Sequence, residues 1–77
     1  MGYRRLMYKT RFYNVNNGSS IRLEQCFWDV IDELASKAGI KWSEWVDKEL
    51  IDKPERVGRA TWLRRQTVST LRNSAAA

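Results

Sequence analysis

Apolar side chains change their spacing along this chain, and each change marks a different element. From Ser19 to Leu23 they alternate: Ile21 and Leu23 share one side, while Ser20 and Arg22 share the other. That two-residue period belongs to a strand with one face turned inward. Upstream, Tyr8 to Val15 reads as a second extended run, because Phe12, Tyr13 and Val15 favour strand. Asn16-Asn17-Gly18 stops that run, and Asn-Gly is the strongest short hairpin signal because both residues tolerate positive φ. The strand at Ser19–Leu23 is too short and too apolar to stand alone, and needs a partner strand.

From Glu24 the period lengthens. Phe27, Val30, Ile31, Leu34, Ala35 and Ala38 fall on one helical face, which predicts a helix over 24–38. Trp28 lies at the edge of this stripe, and Gly39 suits the position just past the helix end. Trp42, Trp45, Val46 and Leu50 predict a second helix from Trp42 to about Ile51 or Asp52. Glu44 sits in its first turn, where the helix dipole favours an acid. Pro54 and Gly58 break the chain. A third helix follows over 59–72, with Thr61 as the expected cap and a loose apolar face of Trp62, Leu63, Val68 and Leu71. The pattern does not decide whether it packs on its own body, crosses to a partner or hangs free. The order is strand, strand, helix, helix, helix: a mostly α chain with a short β-ribbon.

A chain of 77 residues builds a marginal core and usually needs a staple or a partner. The sequence holds one cysteine, Cys26, and no histidine, so an internal disulfide and a Cys/His zinc site are both excluded. Oligomerisation is the remaining source of stability. Cys26 itself is expected to be a small core residue. The four tryptophans, on helical spacing with Val46 and Leu50, are expected in the core and a dimer interface rather than stacked on bases. No apolar run reaches the roughly 18 residues of a membrane span, and no apolar stretch of a signal peptide follows the basic start. We expect a soluble protein, cytoplasmic in a prokaryote or encoded by a phage or plasmid.

The net charge of +5 matters less than its distribution. Residues 1–23 carry Arg4, Arg5, Lys9, Arg11 and Arg22 and no acid. Residues 24–55 carry all nine acids against four lysines, and residues 56–77 carry five arginines and no acid. A basic front before an acidic helical body points to a polyanion-binding element, although a basic tail can also serve only solubility. Catalysis is not expected: there is no histidine, the cysteine lacks a base, no glycine-rich phosphate loop is present, and the carboxylates are scattered over helix surfaces. No cofactor and no metal are expected.

Ser20-Ile21-Arg22-Leu23-Glu24 running into Phe27-Trp28-Asp29 resembles the ribbon-helix-helix family of MetJ/Arc type. Gly39-Ile40-Lys41-Trp42-Ser43-Glu44 resembles the family's turn into its second helix, and 58–71 resembles the extra C-terminal helix of some members. Lys41 departs from the Ser or Thr that often caps that helix. The resemblance divides the chain into a basic arm or extra strand at 1–17, a ribbon-helix-helix domain at 18–53 and a helical extension at 54–77. It implies an intertwined homodimer, possible higher order on DNA included, whose two chains pair their short strands into one ribbon. The shared dimer core would be Ile21, Leu23, Phe27, Val30, Ile31, Leu34, Trp45, Val46 and Leu50.

The function implied is that of a sequence-specific DNA-binding regulator, a repressor in its commonest form, placing the ribbon in the major groove of a palindromic operator. Ser20, Arg22 and Gly18 would face the bases. Arg22 would grip guanine O6 and N7, a contact worth ~1–3 kcal/mol of discrimination, where the plain alternative is an exposed charge on an ordinary sheet. The start of the second helix would hold a phosphate through the amides of Trp42 and Ser43 with Lys41 beside them, and Glu44 counts against this clamp unless it points away. Arg4, Arg5, Lys9 and Arg11 would follow the backbone as an arm, or else form a solvated strand face. The rival is a protein-interaction module, either an antitoxin or a small viral or plasmid protein. There residues 54–77, through Trp62, Arg64 and Arg65, would suit an acidic partner.

Overall fold

The structure, a computed structural model, describes the backbone of residues 7–14 and 16–76, with side-chain surroundings up to residue 73. Strands β1 (Tyr8–Asn14) and β2 (Ser19–Glu24) are followed by helices α1 (Gln25–Ala38), α2 (Trp42–Ile51) and α3 (Arg59–Ala76). Val15, the expected end of the first strand, lies outside the described residues.

The ribbon is a hairpin within one chain. β1 and β2 pair antiparallel, with Lys9 opposite Leu23, Thr10 opposite Arg22, Arg11 opposite Ile21 and Phe12 opposite Ser20. Gly18 supplies the left-handed backbone of the turn at φ +66°, which a side chain would strain. A register shift between Phe12 and Asn14 leaves Tyr13 as an extra residue beside the turn. Within the chain, β1 supplies a partner strand for Ser19–Leu23 along one edge of β2. The Asn-Gly turn brings it back at a far smaller loss of chain entropy than association would.

Beneath the ribbon, Ile21, Leu23, Trp28, Ile31, Leu34, Ala35, Trp45, Val46 and Leu63 form one buried cluster. Phe27, Val30, Ile40, Trp42 and Leu50 are half-buried around it. So Ile21, Leu23, Ile31, Leu34, Trp45 and Val46 are buried without help from another chain, while Phe27, Val30 and Leu50 form the margin. The α1 stripe is rotated from its expected position. Trp28 is its centre at 0 % exposure rather than its edge, and Ala38 is exposed. Burial of the indole is made tolerable by its Nε1–H, which donates to the Lys9 carbonyl at 2.7 Å. Cys26 is exposed, against expectation: it lies in the first turn of α1, off the face that carries Trp28, Ile31 and Ala35 to the core.

Gly39 ends α1 at φ +72°, its N–H donating to Ser36 and the Ile40 N–H to Ala35. This doubly closed end turns the chain straight into α2. After α2, the Lys53 ammonium donates to the carbonyls of Pro54 and Val57 and closes the linker. α3 starts at Arg59, so Thr61 is inside the helix rather than its cap. It packs on its own chain. Leu63 is fully buried, Trp62 Nε1–H donates to the Glu49 carbonyl at 2.7 Å, and Gln66 donates to the Glu49 carboxylate at 2.9 Å. No helix of the described residues is long and apolar enough to cross a membrane.

Candidate nucleic-acid interface

Alternation along each strand sorts the ribbon into two faces. Ile21 and Leu23 point down into the core, which turns Ser20, Arg22 and Glu24 outward. The register then places Phe12, Thr10 and Tyr8 on that same outward face, opposite Ser20, Arg22 and Glu24 in turn. Tyr8 is 45 % exposed and Phe12 55 % exposed. The Arg22 guanidinium lies 4.9 Å above the centre of the Tyr8 ring and, among the described residues, makes no ion pair. The reading surface thus has two rows, a polar one from β2 and an aromatic one from β1. Gly18 sits in the turn at the ribbon's tip and not in a strand row.

Glu24, at the end of the outward β2 row, is already engaged. Its carboxylate accepts from Arg64 Nε at 2.9 Å, and Arg64 Nη2 lies 2.9 Å from the same oxygen. A hydrogen bond from its own backbone N–H and the neighbouring guanidinium hold its pKa below the ordinary 4.5, against a smaller opposing effect of burial. It stays ionised, but its charge is answered within the fold.

Arg11 belongs to the inward row. Its guanidinium forks onto Asp32 at 2.7 and 3.1 Å. It also stacks 4.9 Å from the Trp28 ring and 5.0 Å from the Trp42 ring, which meet each other edge to face at 5.5 Å. This donor set is occupied by structure, leaving little with which to meet a phosphate. Lys9, in the same row, is exposed. Arg4 and Arg5 lie outside the described residues.

At the start of α2, Lys41 is exposed while Trp42 and Ser43 are half-buried. The Glu44 carboxylate accepts the Lys41 backbone N–H at 3.1 Å. Lysine has no acceptor, so the reciprocal bond of a capping box is absent. Glu44 does not point away. It occupies the positive end of the helix, where a phosphate would otherwise bind.

Three features now stand together: a two-stranded ribbon, an α1–α2 pair joined at Gly39, and a basic residue at the centre of the ribbon's outer face. The model of the ribbon-helix-helix domain matches residues 16–71. The chain belongs to the ribbon-helix-helix family. No match was found among curated proteins or among solved structures. Ribbon-helix-helix domains are in general dimeric, non-enzymatic DNA-binding modules of transcriptional regulators or antitoxins. The match begins after β1, so the outward aromatic row lies ahead of it. Sequence reading passed over that row as well. The alternation Tyr8, Thr10, Phe12 was available, and what it lacked was the register that sets it beside Ser20 and Arg22.

Proposed function

We propose that this ribbon-helix-helix protein is a sequence-specific transcriptional regulator, a repressor, that lays the outward face of its ribbon in the major groove. The observation that carries the reading is Arg22: exposed, central, unpaired with any acid among the described residues, and held over Tyr8. A two-stranded ribbon fits the major groove, and an arginine there can donate to both acceptors of guanine. Ser20, opposite Phe12, adds a less selective donor or acceptor. Lys41 and Lys9, both exposed, would contact phosphates, which fix register without reading sequence. As a homodimer the protein would address an inverted repeat, and β2's second edge, which carries no strand among the described residues, is where the two ribbons would meet. Such a protein works in the cytoplasm of a prokaryotic cell.

An open groove of about 570 Å³ between α1 and α3, lined by Phe27, Val68, Arg64, Arg65 and Arg72, favours a second reading. In it the domain also holds an acidic protein segment, as an antitoxin would.

The test is selection of duplexes from a random pool at near-physiological salt, with wild type and Arg22→Ala in parallel. Enrichment of an inverted repeat by wild type and its loss in the variant is the expected result. Retention of duplexes without any enriched sequence, unchanged by Arg22→Ala, would reduce the protein to a general polyanion binder and refute the proposal.

A further inference from the structure

The outward face carries two large aromatic side chains that the core does not use. Phe12 is more than half exposed although it sits mid-strand, flanked by Thr10 on its own strand and faced by Ser20. An exposed phenyl on a two-stranded ribbon contributes nothing to the packing beneath it. Tyr8, at the far end of the row, differs: one face of its ring is covered by the Arg22 guanidinium. Two free stacking faces would suit the splayed bases of a single strand. With Arg22 over one face of Tyr8, Phe12 is the ring of this row that carries no cation among the described residues, and an apolar side chain in a major groove has one apolar target, the thymine C5-methyl.

We propose that β1 is a second reading strand, in which Phe12 contacts thymine methyl groups and Tyr8 positions Arg22 for guanine. The inference rests on the DNA-binding reading above and adds to it a substrate preference: thymine within about two base pairs of the guanine that Arg22 reads. Pairing sets the geometry. Phe12 stands opposite Ser20 and is displaced diagonally from Arg22 by two residues along the ribbon, about 7–8 Å, so the two side chains reach base pairs within about two steps of each other. Thr10, directly opposite Arg22, adds a methyl and a hydroxyl to the same strip.

The experiment uses the inverted repeat recovered from the selection, remade with deoxyuridine replacing thymine one position at a time. This deletes only the methyl. Affinities are measured for wild type, Phe12→Ala and Phe12→Leu, with dimer mass checked for each. Wild type is expected to lose about fourfold at one thymine per half-site, the scale of one buried methylene. Phe12→Ala is expected to lose a similar factor on the thymine duplex and to be indifferent to deoxyuridine there, while Phe12→Leu recovers part of the loss. Tyr8→Ala should weaken the guanine preference and Tyr8→Phe should keep it. Losses that simply multiply, or no thymine dependence at all, would overturn the role of Phe12 while leaving the effect of Arg22→Ala intact. A Phe12→Ala protein that falls to monomers, or that loses only single-strand binding, would overturn it too. Failure of every variant and wild type to enrich any duplex would instead remove the DNA reading underneath.

Discussion

Arg11 shows how a basic side chain can find its partners inside the fold. A basic residue in a basic leading segment reads as a phosphate contact, because charge patterning records sign and not direction. What redirects it is parity along β1: Arg11 lies opposite Ile21, so it faces inward, where Asp32 and two indoles wait. The fork, together with two cation–π contacts at a partly desolvated site, should outweigh an exposed ion pair, which contributes roughly 0.2–1 kcal/mol. We expect Arg11→Ala to cost about 2 kcal/mol in urea unfolding. Arg11→Lys should recover only part of this, since an ammonium cannot fork onto a carboxylate. The Arg11→Ala protein, measured where it remains folded, should keep the wild-type salt dependence of DNA binding, because removing a phosphate contact would reduce that slope by about one. A reduced slope would return Arg11 to the interface.

Elements differ in how openly the sequence declares them. α1 and α2 are written in apolar periodicity, α1 with a glycine stop, and their observed bounds lie within a residue or two of the expected ones. The hairpin was signalled by Asn16-Asn17-Gly18, but its register was not, because the extra residue Tyr13 has no signature of its own. α3 was the least legible. Its buried face is Leu63 and Thr67, and a polar residue inside a core is invisible to an apolar count. Thr67 can lie there because its hydroxyl donates to the Arg64 carbonyl one turn back at 2.8 Å. Val68 and Leu71, which gave α3 its apparent face, are exposed. This reversal is measurable. Leu63→Ala should cost about 2–5 kcal/mol, as a fully buried leucine does, whereas Val68→Ala at 46 % exposure should stay within about 0.5 kcal/mol. Equal denaturation midpoints for the two variants would mean that α3 does not seal the core.

At the scale of the whole molecule, the alternation of basic, acidic and basic segments is in part an internal matter. Arg11–Asp32 ties the front segment to the acidic body, and Arg64–Glu24 ties the last segment to it. The charges left over for a polyanion are fewer than composition implies, and Arg22 gains weight accordingly. Of the two ties, Glu24 is the one with a pH signature. It ends β2 and precedes α1, and it receives its own backbone N–H and the guanidinium of α3, so three elements meet on one carboxylate. Those contacts favour the ionised form, and its folded pKa lies below the ordinary 4.5. The unfolded chain therefore takes up this proton more readily than the folded one. The stabilisation is present in full above 4.5 and is lost as pH falls from there through the lower folded value. Glu24→Gln keeps the shape and removes the charge. It should unfold at lower denaturant than wild type at neutral pH, and the two proteins should converge as the pH is lowered through this window. Arg64→Met should show the same convergence, because it removes the other half of the pair. Stability curves that stay parallel down to acid pH would show that Glu24 is no more than a surface charge, and that α3 is held to the ribbon by Leu63 and by the Arg59 hydrogen bond to the Tyr13 hydroxyl.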